Sequence, residues 1–259
     1  MPEHAGGAVI TAAIERSNGP ALCAYVTAGF PTPAAFPEVL RSVAAAADVV
    51  EIGVPFTDPM ADGLTIQSSN RAALRAGVNL GWVLELLEAT ALETPRMLMG
   101  YYNPFLAHGL ENLGASLIGS GVSGVIIPDL PLEESGPIRQ AFDPLGVALV
   151  QMVAPTTPPE RLERLAAAGA GFVYAVTTTG VTGRRVDLGP DDLEYLARVK
   201  RAATLPVLAG FGIRSRRQVE AVAGVVDGVI VGSALIEVID RGDDPGAFLG
   251  SLRASEVPA

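Results

Sequence analysis

Val49-Val50-Glu51-Ile52-Gly53-Val54 is a run of apolar residues interrupted by a single carboxylate. Seven comparable runs recur at residues 22–27, 97–101, 124–128, 147–153, 172–177, 206–210 and 228–232. Their apolar character is continuous rather than alternating, the pattern of strands covered on both faces in a parallel sheet. Stretches of helical period separate them, among them residues 33–47, 66–77, 159–168 and 193–203, and several end in Gly. The longer interval between Val54 and Met97 has room for two helices. Eight strand-then-helix units of about 30 residues each predict a (β/α)8 TIM barrel. The alternative is an open doubly wound sheet, which would carry a G-x-G-x-x-G turn after its first strand. Here that turn reads Thr27-Ala28-Gly29-Phe30-Pro31. No linker rich in Pro, Gly or Ser divides the chain, so a single domain over residues 1–259 is expected.

Composition narrows what such a barrel does. Apolar residues make up 49% of the chain and aromatics only 5%, so Ala, Val, Leu and Ile must build the core. Charged residues make up 18%, too few for intrinsic disorder. A net charge of −10 argues against a groove that tracks nucleic acid, which needs clustered Lys and Arg. No apolar run approaches the roughly 18 residues of a membrane span. Cys23 is the lone cysteine, which rules out an internal disulfide and fits a reducing compartment. Met1-Pro2-Glu3-His4 lacks a basic segment followed by an apolar one, so no signal peptide is expected and the expected location is cytoplasmic.

In a barrel of this kind the site lies in the loops after the C-terminal strand ends. After the seventh run comes Gly210-Phe211-Gly212-Ile213, and after the eighth Gly232-Ser233-Ala234-Leu235, which opens an apolar helix. Small residues let backbone N–H groups approach an anion, and a helix N-terminus adds positive potential, so this pair reads as a phosphate site. Gly180-Val181-Thr182-Gly183, after the sixth run, closes it from the other side. The plainer reading is that these glycines only make tight turns. Glu51 alternates with Val50 and Ile52, so if those two pack on helices, Glu51 points into the barrel. An unpaired carboxylate there is costly unless its pKa rises, which suits a general acid; a structural pair with an Arg is the alternative. Asp62 follows in a loop stiffened by Pro55 and Pro59, where capping the next helix is the alternative. The only lysine, Lys200, lies in a helical stretch, so a Schiff base is not expected, and His4 and His108 offer no metal site. No nicotinamide or pyridoxal signature is present. Carboxylate acid–base chemistry on a phosphorylated substrate remains.

Glu51-Ile-Gly-Val-Pro-Phe-Thr-Asp-Pro-Met-Ala-Asp62-Gly63 resembles the signature of the tryptophan synthase alpha chain family. Similar matches are Tyr25-Val-Thr-Ala-Gly29, Tyr101-Tyr-Asn-Pro104, Val125-Ile-Ile-Pro-Asp-Leu-Pro131 followed by Glu133-Glu134-Ser135, Ala154-Pro-Thr-Thr-Pro158, Gly180-Val-Thr-Gly183, Gly210-Phe-Gly-Ile213 and Val231-Gly-Ser-Ala234. They run in the family's order over about residues 20–240. The resemblance implies retro-aldol cleavage of indole-3-glycerol phosphate to indole and glyceraldehyde 3-phosphate. It implies that Glu51 protonates the indole ring and assists deprotonation of the glycerol hydroxyl, and that Asp62 accepts a hydrogen bond from the indole N–H. It places Tyr174 near the reacting glycerol and Thr182 in a loop that closes over the substrate. Phosphate contacts carry over to Gly183, Gly212 and Ser233, with Gly232 and Ala234 beside them. Tyr25, Tyr101, Ile126, Phe211 and Ile230 fit an apolar slot for indole, though any of them suits plain barrel core equally well.

The same resemblance implies a partner, a pyridoxal-phosphate beta chain in an αββα (alpha2-beta2) tetramer that receives the indole. Its expected footprint is Pro55, Asp58 and Pro59 with Asn103, Pro104, Asp129 and Pro131. Pyridoxal phosphate belongs to that partner, and no cofactor or metal is expected in this chain. Three features depart from the family: Leu64 stands where Pro is usual, Thr179 replaces a Ser, and residues 112–118 are smaller. A stand-alone lyase releasing free indole is the nearest alternative. A phosphosugar isomerase would explain the phosphate turns but not Glu51 and Asp62 beside an apolar slot, and a scaffold subunit would have no use for the intact carboxylates.

Overall fold

The computed structural model describes residues 5–177, 188–210 and 212–253. Eight strands close into one barrel in chain order: β1 (Ala21–Thr27), β2 (Val49–Gly53), β3 (Arg96–Met99), β4 (Val122–Ile126), β5 (Ala148–Val153), β6 (Val173–Val176), β7 (Val207–Gly210) and β8 (Gly228–Val231). Neighbours are parallel throughout, and β1 pairs with β8. Each of the eight apolar runs therefore forms a strand. Around them lie α1 (Ala5–Glu15), α2 (Phe36–Ala46), α3 (Leu64–Arg75), α4 (Leu80–Glu88), α5 (Tyr102–His108), α6 (Leu110–Gly119), α7 (Gly136–Phe142), α8 (Pro159–Ala168), α9 (Pro190–Ala202), α10 (Arg216–Val222), α11 (Ser233–Asp240) and α12 (Pro245–Leu252).

The interval after β2 holds two helices, as expected, but plain alternation fails elsewhere. A helix precedes β1, and pairs of helices follow β3 and β8. His108 ends α5. That helix is too short to show a period, and Gly109 stops it with φ +86°, turning the chain into α6. The helix before β1 seals the N-terminal end of the barrel. Ile10, Ala13 and Ile14 recur at three- and four-residue spacing and pack in one cluster with Ala170 and Phe172. Thr11 Oγ1 adds a 2.7 Å hydrogen bond to the Gly171 carbonyl.

Two apolar layers form. Val50, Ile52, Leu98, Val125 and Val229 pack outward with Leu40, Leu87 and Leu113 of the helices. Cys23, Val49, Met97, Ile126, Val150, Leu208 and Ile230 fill the interior. Glu51 sits between two outward residues, so alternation aims it inward, opposite Tyr25 in the β1–β2 register.

Two aspartates lock the N-terminal end. Asp48 Oδ2 accepts from the Leu22 N–H (2.8 Å), Ser17 Oγ (3.2 Å) and the Arg253 guanidinium (3.2 Å). Asp227 Oδ2 accepts from the Val207 N–H (2.7 Å) and from Lys200 Nζ (2.6 Å). Each carboxylate precedes one strand and ties down the start of its neighbour, which gives Lys200 a structural role. Replacing Asp48 by Ala strands the Leu22 N–H in a half-buried position. The expected cost is about 1–3 kcal/mol, read from urea denaturation, with no change at the opposite end of the barrel; an unmoved midpoint would show that the contacts contribute nothing.

Candidate active site

The C-terminal end of the barrel gathers the expected acid and anion. Glu51 is 1% exposed. Its Oε2 accepts a long hydrogen bond from Cys23 Sγ (3.9 Å), and its Oε1 has no partner among the described residues. No described Arg or Lys pairs with it, so a structural ion pair does not account for its position. Burial, and then the nearby charge of Asp62, pushes its carboxyl up from 4.5 to about 8; the Cys23 thiol opposes this in part.

Asp62 occupies the loop between β2 and α3 and is 6% exposed. It does not cap α3. Gly63 holds the N-cap position, and no side chain caps there. Asp62 Oδ2 instead accepts from Asn70 Nδ2 (3.1 Å), and its main-chain carbonyl accepts from Gln67 Nε2 (2.9 Å). Burial raises its carboxyl from 3.8 to about 6, and the Asn70 hydrogen bond pulls the other way. The two environments differ, so Glu51 holds its proton to higher pH than Asp62 does.

Tyrosines shape the space between them. Tyr25 is buried, and its Oη lies 3.5 Å from Thr27 Oγ1, which is 2.7 Å from Ser69 Oγ. Ser69 donates to the Ile66 carbonyl, so the chain of hydroxyls runs from Tyr25 through Thr27 to Ser69. Glycines make room for the rings. A Cβ on Gly53 would collide with the Tyr25 phenol, and one on Gly210 would fall 2.7 Å from the Tyr174 ring. Tyr174 shares the interior with Ile126 and Ile230. Tyr101 buries its ring against Phe56 (centroids 5.0 Å apart), and its Oη accepts from the Ala61 N–H (2.9 Å). Tyr101 thus holds the loop that carries Asp62, and burial with the Asp62 charge lifts its hydroxyl to about 12. Leu64, exposed at 73%, is the first residue of α3, a position where Pro also fits.

Of the phosphate assignments, Gly232 caps the N-terminus of α11 and Ser233 is that helix's first, buried residue. Gly212 has φ +66°, a conformation few other residues adopt without strain. Thr182, Gly183 and Phe211 lie outside the described residues. The expected partner footprint forms one rim. The Tyr102 N–H donates to Asp129 Oδ1 (2.9 Å), joining Asn103 and Pro104 to the segment reaching Pro131, while Tyr101 joins them to the loop bearing Asp58 and Pro59. Asp58, Asn103, Asp129 and Pro131 are exposed there with Met60, at 85%; Pro55 is buried beneath. A cavity of about 530 Å³ opens between Ala61 and the ends of β4 and β5, lined by Ile127, Leu132 and Met152. Among the described residues no helix is long and apolar enough to cross a membrane.

Sequence reasoning missed Asn70, Gln67 and Cys23. None carries a local signal, because a buried Asn on a helix becomes meaningful only when its partner in the preceding loop is known.

A family model described as tryptophan synthase alpha chain matches residues 11–252. The tryptophan synthase alpha chain of Nitratidesulfovibrio vulgaris is 41% identical over 238 residues, covering 91% of this chain and 93% of the relative. That of a Roseiflexus species is 43% identical over 233 residues, covering 88% and 89%. Among solved structures, tryptophan synthase of Mycobacterium tuberculosis superposes with a TM-score of 0.88 at 35% identity, covering 96% of this chain and 97% of that one. The alpha subunit from Legionella pneumophila superposes with a TM-score of 0.84 at 32% identity, covering 94% and 96%.

The buried acid has a measurable cost. The unfolded chain releases the Glu51 proton from about pH 4.5, whereas the folded protein holds it to about pH 8. Wild type therefore loses stability from this group as pH rises through that window, a loss absent from Glu51→Gln, while the smaller loss from Asp62 below about pH 6 is common to both. At pH 8 the variant is expected to be the more stable by on the order of a few kcal/mol, with little gain at pH 4.5. Urea titrations at both pH values check this, and parallel shifts for the two proteins would contradict it.

Proposed function

The chain belongs to the tryptophan synthase alpha chain family, and we propose from its geometry which residues carry out that family's reaction. It is a carbon–carbon lyase that cleaves indole-3-glycerol phosphate to indole and glyceraldehyde 3-phosphate and works with a beta chain in tryptophan synthesis. The observation that carries the assignment is the pair of buried carboxyls with no described cation beside them, Glu51 left with only the weak Cys23 donor and Asp62 held by the Asn70 amide, so that burial favours the protonated form of Glu51 more than that of Asp62. Breaking the bond from indole C3 to the glycerol carbon requires the ring to take up an electron pair. Glu51, protonated at neutral pH, delivers its proton to C3 and makes the ring cationic. Asp62, ionised, accepts the indole N–H hydrogen bond and stabilises that charge. The Glu51 carboxylate then takes the proton of the glycerol hydroxyl. As the C–C bond breaks, its electron pair restores the aromatic ring, the aldehyde forms, and Glu51 is again an acid.

The phosphate belongs on the Gly212 turn and the N-terminus of α11, where N–H groups and Ser233 Oγ face an anion. The resemblance assigns Gly183 to the same phosphate and Thr182 to the loop that closes over the substrate. Tyr25, Ile126, Ile230 and Tyr101 line the indole slot, to which the resemblance adds Phe211, and Tyr174 stands beside the glycerol. The rim at Asp58, Pro59, Asn103, Pro104, Asp129 and Pro131, over buried Pro55, receives the beta chain in an αββα tetramer. Pyridoxal phosphate resides in that partner, and this chain, a single barrel domain working in the cytoplasm, needs no cofactor of its own.

Indole release by wild type, Glu51→Gln and Asp62→Asn, each with and without a beta chain, tests the assignment. Wild type should be slow alone and accelerate on adding the partner, and Glu51→Gln should lose at least about 100-fold in either case. Full activity in Glu51→Gln would remove Glu51 from the chemistry, and fast cleavage indifferent to the partner would favour a stand-alone lyase. The pH profile of kcat/KM should be a bell, rising as Asp62 ionises near 6 and falling as Glu51 ionises near 8. A profile flat across that range would contradict the assignment of both roles.

A further inference from the structure

We propose that Asn70 is a positioning residue for the lyase reaction: its amide holds Oδ2 of Asp62 and thereby turns Oδ1 toward the indole N–H. The inference rests on Asp62 being the anion that receives that N–H. Asn70 lies on the inward face of α3, where its companions are Ile66, Ser69 and Ala73. It is 2% exposed, and burying an amide is costly unless its groups are paired. Only half of it is. Nδ2 donates to Asp62 at 3.1 Å, while Oδ1 has no partner among the described residues. The reversed amide would set its oxygen against the carboxylate, so the donor assignment follows from charge. A Leu of similar size would fill the same space without an unmet polar atom. Fold stability therefore does not explain an amide there, and its contact with Asp62 does.

The surroundings make this contact decisive. The groups that feel the Asp62 charge are Glu51 from β2, Tyr25 from β1, Tyr174 from β6 and Tyr101 at the head of α5. None is a cation, and no described Lys or Arg pairs with Asp62. Asn70 is thus the side chain that both restrains the carboxylate and favours its ionised form. Gln67, one turn earlier on α3, fixes the main-chain carbonyl of the same residue, so the helix holds Asp62 at two points. Losing the side-chain hold frees rotation about the Cβ–Cγ bond and lets the carboxyl take up a proton at higher pH.

The experiment is the pH profile of kcat/KM for indole-3-glycerol phosphate cleavage with the beta chain present, for wild type, Asn70→Leu, Asn70→Asp and Asp62→Asn. In Asn70→Leu the acid limb should move up by about one unit, an added loss of roughly tenfold at pH 5.5, and the alkaline limb should stay. Activity at pH 8 should fall several-fold from the lost aim. Asn70→Asp keeps the size and replaces the donor with an acceptor, so it should move the acid limb the same way should Asn70→Leu not fold. Added to Asp62→Asn, Asn70→Leu should cost almost nothing further. An unmoved acid limb in the folded variants, with equal losses at every pH, would reduce Asn70 to a packing residue and overturn the proposal. Undiminished activity in Asp62→Asn would overturn the underlying reading instead, which separates the two failures.

Discussion

A carboxyl group at the inner end of a closed parallel barrel has few ways to lower its energy. Water is excluded by Tyr25, Tyr174 and the aliphatic interior, and no described cation is beside Glu51. The weak Cys23 donor offsets only part of the loss of hydration. Retaining the proton is what remains, and that makes Glu51 an acid at a pH where an exposed carboxylate has long since ionised. The other features of the site follow from this one. Asp62 lies close enough for its charge to push the Glu51 carboxyl up further, and it needs polar support of its own to ionise where its neighbour does not. That support comes from the Asn70 amide of α3, the helix that begins directly after the Asp62 loop, while Gln67 of the same helix fixes the main-chain carbonyl of Asp62.

The two ends of the barrel use the same residue type to opposite effect. At the N-terminal end Asp48 and Asp227 receive strand N–H groups and a nearby Arg or Lys, so their charge is matched and they bind strands together. At the C-terminal end Glu51 and Asp62 are denied cations, and their mismatch with the surroundings is available for chemistry. Stability and reactivity are thus separated along the barrel axis rather than mixed, which fits a fold whose strand C-termini carry the reacting groups.

The parts of this arrangement that repeat along the chain were legible before any coordinates. Eight continuous apolar runs can be read because a strand buried on both faces tolerates little else, and alternation within residues 49–53 aims Glu51 inward without further information. What was not legible depends on closure. Asn70 is eight residues from Asp62, and in sequence it is one polar residue on a helix that has several. Tyr101 reads as an aromatic in a slot, whereas its hydroxyl receives the Ala61 N–H across the mouth. Gly53 and Gly210 read as strand-end or phosphate-turn glycines, but they also clear the space that the Tyr25 and Tyr174 rings occupy. The helix before β1 and the short α5 escaped notice for a simpler reason. One precedes the first repeat, and the other is too short to display a period.

The loop from Val54 to Gly63 joins an exposed rim to the buried Asp62. Its outer residues, Asp58 and Met60, stand exposed on the rim, and Asp62, two residues beyond Met60, is buried with its carboxylate held by Asn70. Between them Ala61 is fastened to Tyr101, and the next residue, Tyr102, is fastened to Asp129. A body seated on the rim would therefore bear on the same short backbone that carries Asp62, with no chain of side chains needed to relay its effect. A misplacement on the order of 1 Å can cost a reaction about 100-fold, and a segment with one exposed face and one buried face offers a short path for it. The hold of α3 on Asp62 sets the other limit. It restrains the carboxylate from behind while the rim is loaded from the front, so the loop has two defined supports.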